Sequence, residues 1–290
     1  MNDFYDAVGF SNIKNRKQLD DILKVVIDEY DVKFNRNTGD DVIKQERIKY
    51  FGDNIGIRVC GELYDNGEFR GEYAYPFIKG SVLSMNRDVE VETRKDTDAR
   101  VGISEDSRFG ATLIYQFQEA YDETLKRVVD KNSFSNAKVY LTGLSNAGMI
   151  ILPIANKGEV ENNILKNKRR NELREEAIEG DEEALKTLAL ADYDAINMVG
   201  RRIQNEDVLS IVSTTFLPFG VESDHYMMIG EIEEFEYINN ILTEEEICIM
   251  KVICNNMQMT IGVNRNDLIG EPQVGRRFKG LIWLQGAILL

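Results

Sequence analysis

The stretch FGATLIYQFQEAYDETLKRVV, Phe109 to Val129, decides how the rest of the chain is read. Its apolar residues Leu113, Ile114, Phe117, Ala120, Tyr121, Leu125, Val128 and Val129 recur at three- and four-residue steps, the spacing of one helical face over about five turns. That spacing predicts a helix lying on a core. Towards the N-terminus, Arg94–Arg108 mixes both signs of charge and reads as an exposed loop. Part of Ser81–Thr93 reads as a strand. Ile55–Tyr64 and Glu68–Lys79 read as a hairpin around Asp65-Asn66-Gly67, which suits a type I′ turn. In its second strand Phe69, Tyr73, Tyr75 and Phe77 share one side with Gly71, as a core ladder or, alternatively, a ligand platform. A first helix spans Asn15 to Tyr30, with Leu19, Ile22, Leu23, Val26, Ile27 and Tyr30 on one face and Asn15 and Gln18 as a capping box. Towards the C-terminus, Ala137–Leu144 and Gly148–Ile154 read as a second hairpin turning at Ser145-Asn146. The expectation for residues 1–155 is an α+β domain, its helices packed on a mainly antiparallel sheet.

Composition then shifts. Residues 156–205 are polar and charge-dense, with helix formers ending at Gly180 and a cap at Asp181, and read as a helical connector. Residues 206–290 are β-rich. Val208–Phe216, Tyr226–Tyr237, Glu246–Cys254, Met257–Val263 and Arg276–Leu289 read as strands, with a turn at Asn255-Asn256. Gly280 and Gly286 inside the last strand suggest bends, so the expectation is a small C-terminal β-barrel, possibly OB-like.

The chain has 290 residues, and its 35 basic against 50 acidic side chains give a net charge of −15. That balance argues against nonspecific coating of nucleic acid or anionic membrane, which needs clustered Lys and Arg. No run reaches the ~18 apolar residues that span a bilayer, and the N-terminus lacks the pattern of a signal peptide. A cytoplasmic protein without a membrane partner is expected. The cysteines Cys60, Cys248 and Cys254 are too few for a disulfide framework. Cys248 and Cys254, on one side of a strand, read as small buried hydrophobes rather than a metal or redox pair.

Chemistry is hard to find. One histidine, His225, excludes a multi-imidazole metal site and reads as a strand-end residue rather than a catalytic base. No phosphate loop, nucleophile elbow or calcium loop is present. Gly143–Gly148, GLSNAG, reads as a hairpin turn. The carboxylate pairs Asp40-Asp41, Glu182-Glu183, Glu233-Glu234 and Glu244–Glu246 follow from the acidic composition, and no cofactor is expected. The run Lys166, Lys168, Arg169, Arg170, Arg174 alternates with glutamates and reads as a solvated helix face. The densest positive charge in the C-terminal segment is Arg276, Arg277 and Lys279, beside the only tryptophan, Trp283. These four form the candidate binding patch, with internal ion pairing and a core tryptophan as the competing reading.

VGFSNIKNRKQLDDIL (Val8–Leu23), GDEEALKTL (Gly180–Leu188), RRIQNEDVLSIV (Arg201–Val212), FLPFGVESDHYMMIGEIE (Phe216–Glu233) and DLIGEPQVGRRFKGLIWLQG (Asp267–Gly286) resemble an uncharacterised protein family of clostridia and related Firmicutes. The resemblance spans nearly the whole chain and implies an intracellular bacterial protein with no assigned activity and no catalytic residues to carry over. A non-enzymatic binding or assembly protein is expected, with an unknown protein partner or self-association. The alternatives are a nucleic-acid-associated protein using the basic and aromatic patch, and a carboxylate-dependent hydrolase or transferase.

Overall fold

In the computed structural model, residues 3–37, 43–94, 99–106, 108, 111–118, 133–153, 214–221 and 223–289 are described, with isolated positions 173, 176, 181, 183, 184 and 187. A 3-10 turn, Asp3–Val8, precedes helix α1 (Arg16–Asp28). The Asn15 side chain accepts from the Gln18 N–H at 3.0 Å, and the Gln18 side chain accepts from the Lys14 N–H at 2.7 Å. The cap therefore reaches one residue further back than a standard capping box. Strands β1 (Val32–Asn37), β2 (Ile43–Gly52), β3 (Ile55–Leu63) and β4 (Phe69–Ile78) form an antiparallel sheet in that order. α1 lies against this sheet, tied by Arg47 Nη1 and Lys49 Nζ, which donate to the carbonyls of Ile27 and Glu29. The β3–β4 hairpin forms in the expected register, but its loop has three residues. Tyr64 and Glu68 bond across it, and only Gly67 is left-handed, at φ 83°. This is a turn followed by a glycine bulge, not a two-residue type I′ turn.

The remaining strands are β5 (Met85–Thr93), β6 (Arg100–Asp106), β7 (Ala111–Phe117), β8 (Ser133–Ser145), β9 (Gly148–Ile151), β10 (Thr215–Pro218), β11 (His225–Asn239), β12 (Glu246–Cys254), β13 (Met257–Asn264), β14 (Leu268–Ile269) and β15 (Arg277–Leu289). Eight of them close a barrel through the pairings β5-β6-β7-β15-β11-β12-β13-β8-β5. β8 and β15 also pair with each other, from Lys138↔Leu289 to Gly143↔Leu284. β10 extends the sheet beyond β11, and β9 and β14 extend it beyond β15. The alternation of β12 shows why these residues form strands. Cys248, Met250, Val252 and Cys254 point inward and are fully buried, while the residues between them face out.

Several expectations are overturned. The α+β reading fails because the described residues are mostly strand, α1 being the one long helix among them. The barrel is not C-terminal alone: β5–β8 and β11–β15, from both sides of residues 156–205, build it together. Ala111–Phe117 is strand rather than helix, and residues 119–132 lie outside the described set. Leu113 and Phe117 satisfy a helical step of four and a strand step of two equally well. Tyr115, buried between them, decides for the strand. Arg100–Asp106, expected in a loop, is a strand whose Val101 and Asp106 are buried. Ala137–Leu144 and Gly148–Ile154 do not form a hairpin. β8 and β9 lie end to end along β15, where four residues, Leu144–Ala147, oppose three, Leu281–Trp283. That is a β-bulge, bent around the Ser145 hydroxyl, which lies 2.8 Å from the carbonyls of both Ala147 and Leu281. The connector falls outside the described residues apart from isolated positions. There Asp181 Oδ1 accepts from the N–H groups of Glu183 and Ala184, as a cap should.

The barrel interior is packed with side chains. Tyr115 is fully buried, and its ring lies where Gly102 and Gly286 carry no side chain. A Cβ at those glycines would sit 2.3 and 2.4 Å from the ring. The strand glycine Gly286, expected to bend the chain, instead makes room for an aromatic side chain from a neighbouring strand. Among the described residues no helix is long and apolar enough to cross a membrane.

Candidate functional site

β15 organises the site. Its inward parity, Phe278, Ile282 and Leu284, fills the barrel. Its outward parity, Arg277, Lys279, Leu281, Trp283 and Gln285, meets two different surroundings. The C-terminal part is covered by the chain's own N-terminal region. Trp283 is buried against Phe4 and Tyr75, with ring centroids at 5.7 and 6.3 Å. Gln285 donates to the Pro76 carbonyl and accepts from Gln118 Nε2 at 2.8 Å.

Trp283 Nε1 donates to Asp224 Oδ2 at 2.9 Å, and Arg94 Nη2 reaches the same oxygen at 2.7 Å. His225 Nδ1 lies 3.0 Å from Asp224 Oδ1, and Phe4 packs on the imidazole. His225 thus begins β11, as expected of a strand-end residue. Burial alone would raise the Asp224 carboxyl, but the hydrogen bonds from His225 and Trp283 and the charge of Arg94 hold it below its usual range. A depressed carboxyl contributes stability above its unfolded value, about 4, and loses it as pH falls through the folded value. Asp224→Asn is therefore expected to lower the melting temperature at pH 7, by an amount equivalent to about 1–3 kcal/mol. Thermal unfolding at pH 7 and pH 3 checks this: the gap to the native chain should narrow at pH 3, and an unchanged gap refutes the assignment.

Among the described residues the N-terminal part of β15 is only partly covered: its cross-strand neighbour Ile229 is buried, and Lys279, Leu281 and Met227 are half-buried. Arg277 is buried, with its Nε and Nη2 donating to the Leu152 carbonyl and Glu231 alongside. Arg276 Nη1 donates to the Glu271 carbonyl. The four expected patch residues therefore meet different surroundings: Arg276, Arg277 and Lys279 lie along one flank, the two arginines bonded within the chain, while Trp283 is enclosed. Around Lys279 the registers assemble something the sequence did not indicate. Ile269, Met149, Lys279 and Ile229 are directly cross-strand on β14, β9, β15 and β11, and Leu281, Met227 and Leu217 are so on β15, β11 and β10. Met149, Leu217 and Ile269 are 39%, 58% and 66% exposed. Such aligned apolar side chains on an outer sheet face are unusual unless something covers them. Alternation in GMII and TFLP is the only sequence signal for these residues, and the strands are too short for it to be read.

A second buried polar cluster lies on the four-stranded sheet. Arg58 Nη1 donates to Glu46 Oε1 at 3.1 Å, and Arg58 stacks over Phe77. Burial pushes the Glu46 carboxyl up, opposed by Arg58, and pushes the adjacent Cys60 thiol well up. Cys248 and Cys254 are pushed to about 12 by burial, as befits small buried hydrophobes. Of the carboxylate pairs, Glu233 accepts from Gln258, Glu234 pairs with Lys251, and Glu245 accepts from Ser11, Asn12 and Asn264. Asp40-Asp41 and Glu182 lie outside the described residues, as do Lys166, Lys168, Arg169, Arg170 and Arg174. Among the described residues no group of three or more His, Cys, Asp or Glu could hold a metal ion.

A family model described as a domain of unknown function, E. rectale Gene description (DUF3881), matches residues 5–286. No curated protein and no solved structure matches the chain.

Proposed function

The chain belongs to this DUF3881 family of unknown function, and from that premise we propose that it is a non-enzymatic binding or assembly protein that holds a protein partner on the flank β14-β9-β15-β11-β10. One observation carries the reading: the outer face of β15 is covered by the chain's own residues at Trp283, whereas around half-buried Lys279 the described residues leave Met149, Leu217 and Ile269 exposed. The packed barrel interior supports it, since Tyr115, Phe278 and Leu284 occupy the space a small ligand would need. So does the use of the buried polar groups Asp224, Gln118 and Gln285 in bonds that hold the fold together.

The test is site-specific photo-crosslinking in the native cells. A photoreactive residue at Met149, Leu217 or Ile269 is expected to give one shared protein adduct, and at Asn66, on the exposed hairpin tip, none. The partner so identified, once purified, should bind the chain and lose at least tenfold in affinity to Met149→Glu. Equal adducts from all four positions, or none from the three on the flank, overturn the reading.

A further inference from the structure

We infer that the occupant of this flank is an acidic amphipathic α-helix of a partner protein, laid across the strands with a carboxylate opposite Lys279. The inference rests on the reading above and makes its partner specific. Shape gives the first argument. Five strands at about 4.8 Å spacing set the outer strand axes about 19 Å apart. The apolar residues form two adjacent cross-strand rows, so the strip is long across the sheet and narrow along it. A helix about 10 Å wide fits such a strip, and about 13 residues at 1.5 Å each span it. Apolar side chains at i, i+3, i+4 and i+7, continued at i+11, would meet Ile269 and Met149 at one end and Met227 and Leu217 at the other.

Charge gives the second argument. The chain is acidic overall, yet this flank carries Arg276, Arg277 and Lys279 against Glu231. Arg277 and Glu231 are directly cross-strand and offset each other. Lys279 stands in the middle of the apolar rows, and no carboxylate among the described residues pairs with it. A glutamate or aspartate on the occupant would satisfy it. At physiological salt the screening length is about 8 Å, so this local cation outweighs the distant acidic surface. A second copy fits worse. A two-fold axis through the strip would bring Lys279 against its own symmetry mate. A strip this narrow also falls short of the ~800 Å² per partner of a standard interface.

The probes are three 17-residue peptides: one with leucines at the i, i+3, i+4, i+7 positions and glutamates elsewhere, one with lysines replacing the glutamates, and a scrambled form of the first. Binding is read by fluorescence anisotropy on the full chain at physiological salt. The glutamate peptide should bind at least tenfold more tightly than the other two. Lys279→Glu should reverse the charge preference, and Met149→Glu should abolish binding with its thermal unfolding otherwise intact. If Met149→Glu fails to fold, Lys279→Gln serves instead and should reduce the preference for the glutamate peptide without reversing it. Binding that ignores charge, binding that survives these substitutions, or no binding overturns the inference. So does light scattering that shows a dimer broken by Lys279→Gln. A flank-specific crosslinked partner with no peptide selectivity removes the acidic helix alone. Failure of the crosslink as well removes the underlying reading.

Discussion

Arg58→Met is expected to cost about 3–5 kcal/mol of folding stability, because it leaves a buried carboxylate without its counter-charge. The Glu46 side chain is fully buried and that of Arg58 nearly so, at 12% exposure. Glu46 Oε1 takes the Arg58 hydrogen bond, while Glu46 Oε2 and Arg58 Nε find no partner among the described residues. Desolvation of both ions therefore consumes most of their attraction. The pair resists the loss of one member while adding little net stability itself. Glu46→Met/Arg58→Met should accordingly recover most of the loss and come within about 1 kcal/mol of the native chain. Denaturant unfolding of the two single variants and the double variant forms the required cycle. If the double variant is as unstable as Arg58→Met, the pair is doing more than neutralising itself.

Gly286→Ala should be nearly as damaging, and for a steric reason. The new methyl would stand 2.4 Å from the Tyr115 ring, which is fully buried in the barrel and hydrogen-bonded to Ser104. Overpacking of this kind costs about 1–3 kcal/mol, and more where the walls cannot move. The ring also lies tight against Gly102, so the upper end is expected. Tyr115→Leu by itself opens a cavity and should cost about 2–4 kcal/mol. Combined with Gly286→Ala it should cost less than the sum of the two, because the methyl fills part of the vacated space. Strict additivity in chemical unfolding would show that ring and glycine do not compete for one volume.

Long, regular strands were legible. Glu246–Cys254 emerges with the expected bounds and Met257–Val263 within one residue, because alternation sustained over eight or nine residues admits one reading. The turn between them has both asparagines left-handed, at φ 49° and 63°, as Asn-Asn suggests. α1 was legible for the same reason, in the helical period. Ala111–Phe117 was not, because a seven-residue strand with apolar residues at 113, 114, 115 and 117 satisfies both periods. β6 was missed because its charges made it look like a loop, although Arg100 and Asp106 are buried and only Glu105 is exposed.

The site divides in the same way. Arg276, Arg277, Lys279 and Trp283 were visible as a concentration of charge and aromaticity, but the sequence carries no information on which covering each receives. Trp283 is enclosed because Phe4 and Tyr75, more than two hundred residues away in the chain, close over it. Lys279 is ringed by apolar residues because β9, β10 and β14 arrive from three separate stretches.

The sequence by itself determined the local items: strand and helix periods where runs are long, the asparagine turn, the caps, the acidic balance and the absence of a chemical motif. Only the tertiary structure decided that strands from both sides of residues 156–205 close one barrel, that β8 and β9 make a bulge rather than a hairpin, and that exposed apolar residues gather beside one stretch of β15. The physical reason is that periodicity is written in neighbours along the chain. Register and covering depend instead on which distant segment pairs with which, a choice made by the sum of many weak contacts between residues far apart in sequence.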